Sequence, residues 1–378
     1  MSHITIFSAS IGHGHNEASK ALKAQLEEEG RSVDIVDTFH AIHPILHKSF
    51  VTVYLNMIKR APTLWGSLYK YGAEHSWYLL VDKLASLFCG RLNAIITNQN
   101  TSIMISTNPF VTSFLSIIKK KRCLDIPLYT IITDFDLHPG YVRPEVDAYF
   151  TGSPYHVEFA AEHNIPLEQI HFTGIPIKAI PEPLTPRTQM REELGLEPYT
   201  KTILITGGGL GLGKYSEIIR SLEEIKEPLQ VLCMTGINQK VAKQLQKVQS
   251  THSIKVIEFT EIFLDYLRAS DVVLSKAGGL TMSEALACET PMLIYNPVPG
   301  HEENNATLLS GLGAAVKADQ LSEVTLLLEH ILFNDTHYNT LVQNAKRSKK
   351  PDAAKQIARK IEHLQDTKGV NSDRLQPS

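Results

Sequence analysis

Apolar positions in this chain fall into two recurring patterns. Short continuous runs read as strands buried on both faces, and between them Ala and Leu recur every three or four positions, as on the inner stripe of a helix. Residues 4–8 form the first such run. After the loop SASIGHGHNEA comes a helix from about residue 16 to 29, with Ala18, Ala21, Leu22 and Leu26 on one face, then a strand at 32–37. Runs at 103–107, 128–133 and 148–151 continue the sheet, with a helix expected after each, and 171–174 is a last short strand. Five prolines (176, 181, 183, 186 and 198) then mark residues 175–199 as a linker. Beyond it the pattern restarts, with strands expected at 202–206, 230–235, 255–259, 271–275, 291–295 and 314–317. Two helices follow to about residue 365, and a polar tail begins at 366. Strand alternating with helix, twice over, predicts an α/β chain of two Rossmann-like halves with a cleft between them.

Composition narrows the class. At 378 residues the chain exceeds one usual core and suits two domains. Hydrophobic residues make up 43% and charged ones 20%, a globular balance, and the net charge of −3 supplies no global field for nucleic acid. Cys89, Cys123, Cys233 and Cys288 show neither paired spacing nor a metal pattern, so they read as thiols in a reducing compartment. The N-terminus enters a strand at once, which gives no signal peptide. The uncharged run from Arg91 to Lys119 is broken by Asn93, Asn98, Gln99, Asn100, Asn108 and Pro109, so it is no membrane span. A cytoplasmic protein is expected.

Residues 40–91 differ from the rest. Aromatic and apolar positions, among them Phe50, Tyr54, Trp65, Tyr69 and Trp77, alternate with Lys48, Lys59, Arg60, Lys70, Lys83 and Arg91, and only Glu74 and Asp82 oppose these cations. Basic amphipathic helices with interfacial aromatics suit an anionic membrane surface. Helices that merely cover the sheet would also fit.

Chemistry concentrates in residues 275–305. A strand runs into Gly278 and Gly279, and a helix is expected to begin near Thr281. Free backbone N–H groups at Gly278, Gly279 and Leu280, together with the helix dipole, make an anion site. Glu284 lies one turn in, on the face of Leu280 and Thr281, within reach of a sugar hydroxyl beside a bound phosphate. An ordinary βαβ unit with a glycine turn is the plainer reading. Near the N-terminus, Gly12-x-Gly14-x-x-x-Ala18 with Asp37 imitates a dinucleotide fingerprint, but it lacks a third glycine, and His13 and His15 crowd the turn. Asp134, at a strand's carboxyl end, is a further site candidate.

Taken together, SASIGHGH-x-x-A, TDF-x-LH (133–138), TGIPI (173–177) and KAGGLTMSEA followed by PVPGHEENNA resemble one family over about residues 3–345. It is the family 28 group of glycosyltransferases that move a sugar from a UDP-sugar onto a lipid. The processive diacylglycerol glucosyltransferases and the plant monogalactosyldiacylglycerol synthases are near members, and the enzyme adding N-acetylglucosamine to the cell-wall lipid precursor is a more distant one. The resemblance implies a GT-B fold: an N-terminal acceptor domain facing the membrane (1–176), a C-terminal UDP-sugar domain (177–345), and a C-terminal helix returning to the first domain before a polar tail (346–378). Glu284 would hold the ribose, the 278–281 turn the diphosphate, and Phe259 and Thr260 the uracil. Asn304 or Asn305 would touch the donor sugar, with Gly14, Gly207, Gly208 and Glu302 completing the donor side. His301 stands where relatives carry Gln, which opens the identity of the sugar.

Inversion at the anomeric carbon requires a base, and His is suited to that role. His15 aligns with the family's glycine-loop histidine, while His13 reads as a turn residue. Asp134 is expected to orient His15 or share its proton. Asp134-x-Asp136 also resembles the metal-holding pair of another glycosyltransferase class, but that pair belongs to a different fold. No metal or cofactor is therefore expected beyond the UDP-sugar substrate. The expected reaction is hexose transfer from UDP-glucose or UDP-galactose to a lipid such as diacylglycerol, on the inner face of the membrane, with Lys59, Arg60, Trp65, Tyr69 and Trp77 toward lipid or acceptor. A UDP-sugar 2-epimerase shares the two-domain fold, and a UDP-sugar-sensing membrane regulator without turnover would keep Glu284.

Overall fold

The computed structural model describes residues 3–10, 13–74 and 78–373, and for residues 44–46, 50, 54, 59, 70–74, 78–80, 84 and 368–373 the backbone alone. Gly12 and Trp77 lie outside the described residues.

The first half begins with β1 (His3–Ser8), α1 (His13–Glu28) and β2 (Ser32–Asp37). Four helices follow: α2 (Thr38–Ile42), α3 (Pro44–Arg60), α4 (Pro62–Glu74) and α5 (Tyr78–Asn98). The chain then returns through β3 (Thr101–Ser106), α6 (Pro109–Arg122), β4 (Leu128–Ile131), β5 (Ala148–Thr151), α7 (His156–Glu162) and β6 (Ile170–Phe172). These strands form one parallel sheet in the order β2-β1-β3-β4-β5-β6.

The second half comprises α8 (Arg187–Glu193), β7 (Lys201–Thr206), α9 (Tyr215–Leu222), β8 (Leu229–Gly236), α10 (Gln239–Leu245), β9 (Ser253–Glu258) and α11 (Phe263–Ala269). It continues with β10 (Val272–Ser275), α12 (Gly279–Ala287), β11 (Met292–Tyr295), α13 (His301–Gly311) and β12 (Ala315–Ala318). Its sheet is again parallel, in the order β12-β11-β10-β7-β8-β9. Three helices close the chain: α14 (Leu321–Phe333), α15 (Asp335–Ser348) and α16 (Ala353–Asp373).

The central strands are buried on both faces, all of β8 among them, whereas the edge strands β2 and β9 carry exposed polar positions. The strand order also explains where function gathers. Chain direction reverses between β1 and β3 in the first sheet and between β7 and β10 in the second, and open α/β sheets keep ligands outside the carboxyl ends of strands at such a switch. The two switch points contribute to opposite walls of one cleft.

The halves are tied together at the back. From α16, Ile357, Ala358 and Ile361 are buried in the same core as Ile4, Leu22 and Leu26 of the first half. Phe135 and Ile175, which belong to the first half in sequence, pack among the apolar residues of the second.

Three local expectations are corrected. No α-helix follows β4; the chain makes only a 3-10 turn at Pro139–Tyr141, capped by His138, because Pro139 and Pro144 withhold donors and Phe135 is drawn into the other half's core. The linker is interrupted by α8, which Pro186 starts. Arg191 anchors it, its Nη2 donating to Asp271 Oδ2 at 2.6 Å and its Nε to the Ala269 carbonyl at 2.8 Å. Finally, α1 begins at His13, so both loop histidines belong to its first turn. The N–H groups of a first turn have no intrahelical partner, so a glycine and polar residues are tolerated there.

Candidate active site in the interdomain cleft

Between the halves lies a cavity of about 960 Å³. On its first wall stands His15, in the first turn of α1 just past the end of β1. The residue that orients its ring comes from the neighbouring strand. Asn108 follows β3 and caps α6, its Oδ1 accepting from Phe110 N at 3.0 Å and from Val111 N at 3.4 Å. That leaves the Nδ2 amino group facing His15 Nε2, at 3.2 Å. Since Nδ2 donates, Nε2 must accept, so the proton of the neutral ring sits on Nδ1 and donates to Thr133 Oγ1 at 2.8 Å. Burial lowers the pKa of His15 despite the opposing pull of Asp134, so the ring is a neutral base with its lone pair on Nε2.

Asp134 does not orient this ring as expected. Its Oδ1 accepts from Asn305 Nδ2 at 3.0 Å, and its influence on His15 is electrostatic. Asp136 is committed as well, its Oδ2 accepting from Tyr69 Oη at 2.7 Å. Among the described residues no group of His, Cys, Asp or Glu is arranged to hold a metal ion.

The second wall is largely backbone. Gly278 precedes α12, whose first-turn N–H groups open toward the cavity, and a Cβ on Gly279 would lie 2.3 Å from the Thr133 carbonyl oxygen of the opposite half. Glycine is therefore needed here for close approach between the halves as well as for anion binding. Gly14 faces Leu280 across the same gap, a Cβ there standing 3.8 Å away. Lys276 adds a cation beside the turn. It pairs with the buried carboxylate of Glu302, which also accepts from Val298 N at 2.8 Å and so fixes the loop before α13. Glu284 lines the cavity, and desolvation, reinforced by Glu17 on α1, pushes its pKa up to about 8. Unliganded at neutral pH, it is mostly a protonated acid.

Most of the expected donor-side residues line this cavity: Gly14, Gly207, Gly208, Phe259, Thr260, the 278–281 turn, Glu284, His301 and Glu302. Two do not. Asn304 is exposed on α13, and Asn305 is wholly buried. The side chain of Asn305 ties the halves together, donating to Asp134 Oδ1 and to the Ala277 carbonyl at 2.9 Å and accepting from Asp136 N at 2.8 Å. His13 is no turn residue either. Its ring lies 5.9 Å from that of Phe259 and against the backbone of Gly209, spanning the cleft from α1.

The residues expected toward lipid divide as well. Tyr69 and Trp65 are partly buried, their rings 6.4 Å apart, and Tyr69 lies 4.3 Å from the ring of His138. Solvent instead meets Leu64, Leu68, Val53 and Leu87, and Arg60 is exposed at the end of α3. The side chain of Lys59 and all of Trp77 fall outside the described residues. No helix among the described residues is long and apolar enough to cross a membrane.

Sequence reasoning missed Asn108, Thr133 and Lys276. Asn-Pro after an apolar strand signals a capped helix start, and a lysine directly after a wholly buried strand stands at the strand's carboxyl end, where open α/β sheets keep ligands. Both signals were present.

Comparison with known proteins agrees with this geometry. Residues 15–177 match the model of the monogalactosyldiacylglycerol (MGDG) synthase family, and residues 202–357 match the glycosyltransferase family 28 C-terminal domain. A processive diacylglycerol beta-glucosyltransferase of Bacillus thuringiensis is 30% identical over 365 residues, covering 94% of this chain and 92% of its own. Among solved structures, MurG of Acinetobacter baumannii superposes with a TM-score of 0.63 at 16% identity, covering 96% of this chain and 100% of that one. The MnaA–UDP structure from Staphylococcus aureus gives 0.61 at 14%, covering 97% of each chain. At such identities these two show a shared fold and nothing of the reaction.

Proposed function

The chain belongs to the family of the diacylglycerol glycosyltransferases, a GT-B glycosyltransferase family, and from that premise we propose that it transfers glucose or galactose from a UDP-sugar to diacylglycerol with inversion. The observation that carries this reading is a neutral histidine of fixed tautomer facing, across one cavity, a helix N-terminus flanked by a lysine.

The acceptor hydroxyl takes the place of Asn108 at His15 Nε2. Its oxygen attacks the anomeric carbon while its proton passes to Nε2, and the bond from that carbon to the diphosphate oxygen breaks with its electron pair leaving on UDP. The amides of Gly279, Leu280 and Thr281, together with Lys276, stabilise the leaving charge; the Gly278 N–H, expected to be free, donates instead to the Lys276 carbonyl at 2.9 Å. Attack from one wall and departure toward the other produce inversion. Glu284 accepts from the ribose hydroxyls, Phe259 and Thr260 flank the uracil, and His301 meets the sugar. Asp134 keeps His15 basic enough to receive the proton. It does not orient the ring.

Exposed Leu64 and Leu68 on α4, and exposed Arg60 at the end of α3, support docking of this surface on an anionic membrane. Free thiols at Cys89, Cys123, Cys233 and Cys288 suit the cytoplasmic face. The test is a panel of UDP-sugars against diacylglycerol and glycosyl-diacylglycerol, with products separated by thin-layer chromatography. A new glycolipid with UDP-glucose or UDP-galactose is the expected result; no lipid product with any donor contradicts the reading.

A further inference from the structure

The reaction proposed for this cleft makes no use of one contact between the halves. On α4, Gly66 faces Pro299, and in the loop 297–300 before α13, Gly300 faces the ring of Tyr69. A Cβ on Gly66 would stand 2.7 Å from Pro299 Cβ, and one on Gly300 would stand 2.9 Å from the Tyr69 ring. Each half therefore carries a glycine where the other's side chain arrives, and the two segments meet at backbone distance. Gly300 also has φ +95°, a conformation other residues rarely adopt, so the loop has little freedom to relax around a substitution.

Tyr69 is held firmly on its own side. Its hydroxyl donates to Asp136 Oδ2 at 2.7 Å, its carbonyl lies 3.3 Å from His138 Nε2, and its ring packs 4.3 Å from that of His138. Toward the cleft, the ring of His301 lies 5.7 Å away. His301 lines the cavity, whereas Tyr69 does not.

We propose that Tyr69 is a positioning residue for the donor sugar, acting through Gly300 and His301, and that α4 holds the sugar-facing loop in place. The proposal rests on the reading of this cleft as a UDP-sugar site. It separates the sugar from the rest of the donor, because the contacts that Tyr69 makes toward the cleft are with Gly300 and His301, at the sugar end of the pocket. The helix whose outer face carries Leu64 and Leu68 is thus also the helix that shapes the sugar end of the donor pocket.

Gly66→Ala is the discriminating variant. Alanine is the better helix former, so α4 itself is not weakened, yet the added methyl group must displace Pro299. Calorimetric titration compares wild type, Gly66→Ala, Tyr69→Ala and Tyr69→Phe with UDP, UDP-glucose and UDP-galactose. UDP affinity should stay within about twofold throughout. Affinity for the wild type's preferred UDP-sugar should fall about five- to tenfold in Gly66→Ala and Tyr69→Ala, the range of a lost aromatic contact. Tyr69→Phe, which keeps the ring, should retain most of it. Loss of UDP and UDP-sugar affinity together, or of neither, overturns the positioning role. A wild type that binds none of the three ligands removes the donor-site reading and this proposal with it, a result distinct from either.

Discussion

The two halves of this molecule repeat one architecture and put it to different chemical uses. At the switch point of the first sheet, three side chains from three segments converge: His15 after β1, Asn108 after β3 and Thr133 after β4. At that of the second sheet the working groups are mostly backbone, the glycine loop after β7 and the open first turn of α12 after β10. The proposed proton acceptor needs a ring held in one tautomer, which here the side chains of Asn108 and Thr133 fix. A diphosphate needs several preorganised dipoles, which a glycine turn supplies without side-chain entropy loss. The difference teaches that one fold separates proton transfer from anion binding by choosing which atoms face the cleft.

That division predicts different damage on the two sides. His15→Ala should lower turnover by about 10²–10⁴-fold while UDP affinity barely moves. His13→Ala, one position from Gly14 but packed on Phe259, should do the reverse, costing a few-fold in donor affinity and little in turnover. Because burial lowers the His15 pKa, wild-type turnover at saturating UDP-sugar should stay level as pH falls below 6.5, failing only when the ring protonates. Steady-state kinetics alongside calorimetry separates these outcomes, and equal loss of binding and turnover in His15→Ala breaks the comparison.

Glu284→Gln should act on binding alone. A charge-assisted hydrogen bond is worth about 1.5–3 kcal/mol, so UDP-sugar affinity should fall about 10–100-fold above pH 8. With its pKa near 8 in the free cleft, Glu284 must lose a proton to accept from both ribose hydroxyls. Wild-type affinity should therefore rise with pH from about 6 to 8, with proton release on binding, and the gap to Gln should close toward pH 6. In the unliganded protein the sign is opposite. A carboxyl whose folded pKa is raised from 4.5 to about 8 favours the fold less as pH climbs through that window. Titrations in two buffers of different ionisation enthalpy read the proton count, and a pH-independent wild type contradicts this role.

Much of the donor wall was legible in the sequence because backbone chemistry leaves a local signature: Gly-Gly after an apolar strand, then Glu one turn along. The cleft histidine His15 was singled out through its motif, but its hydrogen-bond partners were not, since Asn108 and Thr133 meet it only through strand order, which no local pattern records. Asn305 was misjudged for a related reason. Asn305 and Asn304 stand in the same motif, yet α13 turns the former into the domain contact and the latter to solvent. Composition placed Tyr69 toward lipid or acceptor; in the fold it is partly buried and bonded to Asp136, while Leu64 and Leu68 of the same helix are exposed.

A separate effect belongs to the surface where α3 ends and α4 begins. Arg60→Glu, at the end of α3, removes one cation and adds one anion, and at about 1 kcal/mol per charge near an anionic surface it should weaken vesicle binding roughly 30-fold. UDP affinity should be untouched. Flotation with anionic vesicles at low salt reads it, and a wild type that does not float removes the lipid-facing reading of this helix.

Lipid-dependent release of UDP tests the central claim most directly. Purified protein is given UDP-glucose or UDP-galactose, with and without vesicles containing diacylglycerol, and both UDP and glycosylated lipid are measured. The account predicts UDP and glycolipid in equal amounts, formed only when diacylglycerol is present, and neither from His15→Ala under the same conditions. UDP release that ignores diacylglycerol, or normal donor binding with no lipid product, would contradict it.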